Sequence, residues 1–343
     1  MNQLIFFPFE SYWWFYALFT GFVFLMLGLD LGVFHRKEHE VSIRESLGWT
    51  IIWISLAMLF NIGFYYFSLG EFSSSEKFLS IPGFNPEFFA KQVSIEFLAG
   101  FVTEKALAVD NIFVFVVVFN FFAIPLKYQH RVLFFGILGA LIFRAILIAL
   151  GSVLMQYHAV ILIAGIFLIF TGLKIIFSPE KIPDPAANPM IRLVRKFIPV
   201  TNEIHGKKFF VRINGKTFCT PLFLALIFLE FSDVIFALDS VPAIFAFTKE
   251  PLIVYTSNVF AILGLRSLYF LLAGAVDQFR YLKFGLGFIL IFVGLKMLWL
   301  NELYDGKFPI LLSLGIIGFI LALSIAASLF IKPSFRLKRK KQS

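Results

Sequence analysis

Apolar residues in this chain do not alternate with polar ones; they gather into long runs separated by short charged segments. Nine runs stand out, near residues 12–34, 49–69, 93–119, 132–153, 159–177, 218–247, 254–276, 282–300 and 308–331. Each has about the 20 residues that an α-helix needs to cross a bilayer. The pattern predicts an all-α polytopic membrane protein, one transmembrane domain over residues 1–343 with about nine spans. Composition agrees. Of the 343 residues 59% are hydrophobic and only 15% charged, and mean hydropathy is +0.88; a soluble domain carries roughly 25% charged residues.

Charge adds orientation. The net charge is +9, and the excess sits in alternate connections: Arg36, Lys37 and Arg44; Lys127 and Arg131; a long loop over 178–217; Arg280 and Lys283; and a basic tail over 332–343. The opposite connections hold only Lys77, Lys91, Lys249 and Lys307. By the positive-inside rule the N-terminus is outside and the C-terminus cytoplasmic. The same distribution explains the basic balance without a nucleic-acid partner; the bilayer is the partner, and the tail suits anionic lipid. No cleavable leader is evident, and the first run is long enough to act as an anchor. Cys219 is the single cysteine, which excludes an internal disulfide, a CxxC pair and a cysteine-based zinc site. Within 178–217, five prolines predict an extended start, and Asn214-Gly215 predicts the turn of a small hairpin rather than a second domain.

Against this apolar background two stretches carry acids. Thr103-Glu104-Lys105 through Asp110-Asn111 lies in the third run, and Glu230-Phe231-Ser232-Asp233 through Asp239-Ser240-Val241-Pro242 lies in the sixth. Aligning Asp110-Asn111 with Asp239-Ser240 sets Glu104 opposite Asp233. Arg144 then corresponds to Arg266 in the next spans, and Gly172-Leu173-Lys174 to Gly294-Leu295-Lys296. The offset is 129 residues at the acids and 122 at the later matches. Spans three to five and six to eight therefore form an inverted-topology pair, an architecture that binds substrate near the membrane midplane.

Intramembrane carboxylates are costly and mark ion pathways. The expected donors are Glu104, Asp110, Asn111, Glu230, Asp233, Asp239 and Ser240, with Lys105, Arg144 and Arg266 as intramembrane charge partners. An oxygen set of this kind suits Mg²⁺, Ca²⁺ or Mn²⁺ rather than zinc or copper. The five histidines fall at span ends or in loops and are read as solvated. Asp30 and Asn61 are further polar residues in the first two spans. Six residues of ideal helix separate side chains by about 120°, so Asp233 and Asp239 do not share a face of a regular helix: either one carboxylate per repeat faces a different cavity, or the helix is locally opened. Pro242 removes an amide close by, and the expectation is a sixth span broken near Asp239.

Four stretches carry a family resemblance: Leu29-Asp30-Leu31-Gly32-Val33-Phe34-His35-Arg36, Trp49 through Tyr66, Glu104-Lys105-Ala106-Leu107-Ala108-Val109-Asp110-Asn111-Ile112-Phe113-Val114-Phe115, and Glu230 through Pro242. With them the chain resembles the TerC family of bacterial inner-membrane proteins over residues 12–331. The resemblance implies a multi-pass protein of the inner (plasma) membrane, in a family named for tellurium-resistance operons. Members are associated with manganese export, and some with metal loading of secreted proteins. The family's acidic motif matches at Glu104, Asp110, Glu230, Asp233 and Asp239. The expected activity is secondary export of a divalent cation, Mn²⁺ first and Ca²⁺ next, with no enzyme activity and no required cofactor beyond the transported ion. The rival is a membrane scaffold or stress-response protein, linked to tellurium resistance through unidentified membrane partners, in which the acids only form structural ion pairs. An intramembrane aspartyl protease would need Gly neighbours that Asp110 and Asp239 lack.

Overall fold

The structure is a computed structural model that describes residues 5–29, 42–177, 188–273, 281–304 and 308–330, without the side chain of Asp110. Asp30, Arg280, the first part of the long loop and the basic tail lie outside the described residues.

The helices are α1 (Phe9–Leu29), α2 (Ile43–Ser74), the short α3 (Glu76–Leu79), α4 (Pro86–Phe121), α5 (Leu126–Leu154), α6 (His158–Phe177), α7 (Pro189–Phe197), α8 (Pro221–Phe245), α9 (Pro251–Leu263), α10 (Leu265–Leu272), α11 (Leu282–Leu295), α12 (Asn301–Leu303) and α13 (Ile310–Phe330). A π-helical turn, Lys296–Leu300, joins α11 to α12. Eight segments of the described chain are long and apolar enough to cross a membrane: α1, α2, α5, α6, α8, α9 with α10, α11 through α12, and α13. α4 is longer than any of them at 36 residues but carries Glu104, Lys105 and Asp110 in its apolar half. With it, helices occupy all nine predicted runs. Exposed Phe, Leu and Ile residues on α1, α2, α6 and α13 give the bundle the apolar exterior that lipid requires.

Local chemistry explains the helix starts. Ser42 caps α2 by accepting the Glu45 amide at 3.2 Å. Asn85 caps α4 through the Phe88 amide at 3.1 Å. Proline opens α4, α7, α8 and α9, where its missing N–H costs no helix bond. The extended reading of the long loop needs correction on this point. Pro189 starts a helix, because Asn188 Oδ1 caps the Met190 amide at 2.8 Å. The hairpin is β1 (Phe210–Ile213) antiparallel to β2 (Lys216–Cys219). Its turn residues Asn214 and Gly215 have φ of 49° and 79°, as a type I′ turn requires.

The inverted repeat is visible in packing. α6 and α11 form the most extensive helix pair, and they meet glycine on glycine. A Cβ on Gly172 would lie 2.5 Å from the Gly287 carbonyl oxygen, and one on Gly294 would lie 2.6 Å from that of Gly165. The offset of 122 carries Gly165 to Gly287 and Gly172 to Gly294, so repeat exchange turns one contact into the other. A pseudo-two-fold axis passes between them. α5 packs on α8 as extensively as α9, its counterpart, packs on α4.

The halves differ at one step. The seventh span is interrupted at Gly264, whose φ and ψ of −85° and 3° separate α9 from α10. The counterpart of Gly264 is Ile142, and α5 runs through it unbroken. Glycine lowers the cost of leaving the helix. The expected break near Asp239 is overturned: α8 continues from Pro221 to Phe245 with Pro242 inside it. Pro242 falls in the last turn, so only one ladder bond is lost before the helix ends.

Candidate intramembrane cation site

Seven residues of helix turn through about 700°, which returns a side chain to within about 20° of its starting direction. That spacing puts Asp233 and Ser240 on one face of α8, and Glu104 and Asn111 on one face of α4. Both faces turn inward: Glu104 is 1% exposed, Asn111 2%, Asp233 6% and Ser240 2%.

Arg144 of α5 lies between the two faces, itself 1% exposed. Its Nε donates to Asp233 Oδ2 at 3.1 Å and its Nη2 to Asp233 Oδ1 at 2.9 Å, a bidentate fork. Its Nη1 donates to Glu104 Oε1, to Ser240 Oγ at 3.3 Å and to Asn258 Oδ1 of α9 at 3.4 Å. One guanidinium therefore joins acids from both repeats.

Glu230 stands one turn before Asp233. Its carboxylate occupies the space over Gly139 of α5, where an added Cβ would lie 2.1 Å from Oε1. Asp239 points elsewhere. It faces α6, beside the Thr171 hydroxyl and Lys174. The six-residue spacing thus resolves as two environments on one regular helix, and not as an opened helix. Lys105 approaches Gly264 at the break between α9 and α10, where a Cβ would meet its Nζ at 2.6 Å, and it sits 5.8 Å from the Phe101 ring centre.

Arg266 of α10 is 3.1 Å from His130 Nε2 through Nη1. This corrects the solvated reading of His130, which is half-buried against α10. Arg266 and Asp233 also line a cavity of about 20 Å³ walled by Leu133, Gly136, Ala140 and Leu265, room for about one water.

Several buried side-chain oxygens have no hydrogen-bond partner: Thr103 Oγ1, Glu104 Oε2, Asn111 Oδ1, Glu230 Oε2 and Asp239 Oδ1. An acceptor left bare in an apolar bundle is expensive. Among the described residues no three His, Cys, Asp or Glu side chains converge as a metal-binding group. The seven nominated donors accordingly separate: Glu104, Asp233 and Ser240 meet at Arg144, Asn111 shares the Glu104 face, Glu230 adjoins, and Asp239 faces α6. The Asp110 side chain is outside the described residues.

Sequence reasoning missed Gly139 and Asn258, and read Lys296 only as a repeat match of Lys174. Asn258 is a polar residue inside an apolar run, which was the available signal. Lys296 is 2% exposed, lies 4.1 Å from the Phe247 ring centre and opens the π-turn, a distortion frequent at functional sites. Cys219 is fully buried, and burial pushes its thiol pKa up.

Known proteins resemble this chain over most of its length. The profile of the integral membrane protein TerC family matches residues 89–336. An uncharacterized membrane protein of Myxococcus xanthus is 48% identical over 315 residues, covering 92% of this chain and 91% of its own. A Salmonella typhi protein named "Putative membrane-bound redox modulator Alx" is 42% identical, covering 91% and 93%. The Escherichia coli K12 protein of the same name is 41% identical, covering 89% and 91%. No solved structure matches. The chain is an integral membrane protein of the TerC family.

Proposed function

We propose that this protein is a secondary exporter that moves a divalent cation, Mn²⁺ first and Ca²⁺ next, from the cytoplasm across the inner membrane. The observation that carries the reading is the set of unpartnered buried oxygens on α4 and α8, the two helices related by the inverted repeat. Carboxylate, amide and hydroxyl oxygens are the donors hard divalent ions take. Glu104, Asn111, Glu230, Asp233 and Ser240 form the central donor group, and Asp239 with its repeat counterpart Asp110 supplies further carboxylates on the path. Mn²⁺ ranks first because the family resemblance points there; the donor set itself favours no one of these ions.

The scaffold reading draws on the Arg144 pairs, which would also fix helix register. It leaves the bare oxygens without a purpose. The relatives' name speaks of redox modulation. Here a lone buried thiol of raised pKa offers no dithiol chemistry, so a redox effect would follow from the metal pool.

The test is intracellular manganese in cells that lack the chain and are supplied with the wild type, Asp110→Ala or Asp239→Ala. The wild type lowers the content and the variants, inserted at equal level, do not. Equal manganese in all three would end the exporter reading.

A further inference from the structure

Arg144 covers both carboxylate oxygens of Asp233 and one of Glu104. In this arrangement both Asp233 oxygens already accept from the guanidinium, while Glu104 Oε2 and Glu230 Oε2 stay bare. A divalent ion that uses Asp233 therefore competes with the guanidinium for the same carboxylate. We propose that Arg144 is a tethered counter-cation: it holds Glu104 and Asp233 together when no metal is bound, and it yields them when the metal arrives.

Three features support this role. The guanidinium joins one acid from each repeat, so it bridges the elements that an inverted-repeat carrier moves against one another. Its remaining partners, Ser240 and Asn258 at 3.3 and 3.4 Å, are neutral and at the long limit of hydrogen bonding. The cavity beside Asp233, about 20 Å³ and also lined by Arg266, gives slack next to the pair. Without a cation of some kind, Glu104 and Asp233 would face each other uncompensated during return of the empty carrier, a state strongly disfavoured away from water. Arg144 would supply one of the two positive charges from within the chain, so the return step needs one further charge at these acids, such as a proton, rather than a second divalent ion.

This inference rests on the export reading, and two transport modes separate them. Purified full-length protein in liposomes is loaded with Mn²⁺. Metal-for-metal exchange is followed with radioactive Mn²⁺ on both sides, and net flux with Mn²⁺ on one side only. Exchange never visits the empty carrier; net flux must. In Arg144→Gln the ratio of net flux to exchange is expected to fall by at least about tenfold, because the unpaired acids bar the empty return. Arg144→Lys keeps the charge and retains most of the ratio. Thermal unfolding confirms that each variant is folded, and the Lys variant carries the test if the Gln variant is not. A ratio unchanged in Arg144→Gln, or a Lys variant that loses the ratio as the Gln variant does, would overturn the counter-cation role while leaving export intact. A wild type that moves Mn²⁺ in neither mode would overturn both.

Discussion

The carboxylate of Glu230 fills the space that a side chain at Gly139 would need. The two lie on different helices, α8 and α5, and an added Cβ would come within 2.1 Å of Oε1 and 2.3 Å of Cδ. Gly139→Ala is therefore expected to push the carboxylate aside without touching the charge of the site. A displacement of about 1 Å in a positioned group costs on the order of 10²-fold in rate, and metal flux should fall on that scale while thermal stability changes little. Gly136→Ala is the control on the same helix: its nearest neighbour is Leu226 Cδ1 at 4.0 Å, and both readouts should stay near wild type.

The two aspartates of α8 predict different stability effects. Asp233→Ala strips Arg144 of its bidentate partner and leaves a buried charge short of compensation, at a cost of about 3–5 kcal/mol. Asp239 is half-buried and its ionic neighbour Lys174 is exposed, so Asp239→Ala should cost less than about 1 kcal/mol. Chemical unfolding in detergent reads the difference. Equal losses at the two sites would contradict the separation of their environments.

The fold was largely legible because span length and charge asymmetry are strong signals. The repeat was legible too, from Glu104 with Asp233, Arg144 with Arg266, and the two Gly-Leu-Lys triplets. What failed was the choice between two readings of a six-residue spacing. Pro242 suggested an opened α8, yet a proline in the last turn breaks little, and the interruption went to Gly264, where the other repeat has Ile142. The central hub was only half legible. Arg144 was visible as a charge partner, but its binding to both repeats at once depends on helix packing. The glycine contacts and the bed of Glu230 were not legible, since a glycine in an apolar run does not announce what lies over it.

The pseudo-two-fold contact predicts paired outcomes. Gly172→Ala and its repeat counterpart Gly294→Ala should each destabilise by about 1–3 kcal/mol, the usual cost of overpacking, because each Cβ meets partner backbone at 2.5 and 2.6 Å. Gly318→Ala on α13, with nothing within 4 Å, should be neutral. Thermal midpoints decide the matter, and a neutral Gly172→Ala would mean that α6 and α11 are not held this close.

Cys219 gives a test of thiol involvement. Its burial and raised pKa mean that at mildly alkaline pH less thiolate is present than on a free cysteine, so maleimide labelling of the folded protein should be slow and should become fast on denaturation. Cys219→Ser should support the same manganese content in cells as the wild type. Fast labelling of the folded protein, or loss of function in Cys219→Ser, would bring thiol chemistry back into the account.

The central claim is that the bare oxygens of α4 and α8 serve a moving divalent cation. Metal flux into liposomes carrying the purified protein tests it most directly, with Mn²⁺, Ca²⁺ and Mg²⁺ compared side by side and Glu230→Gln and Asp239→Asn run in parallel. The account predicts protein-dependent flux of Mn²⁺ that both variants abolish. Absence of flux for all three ions, or flux that persists unchanged in both variants, would contradict it.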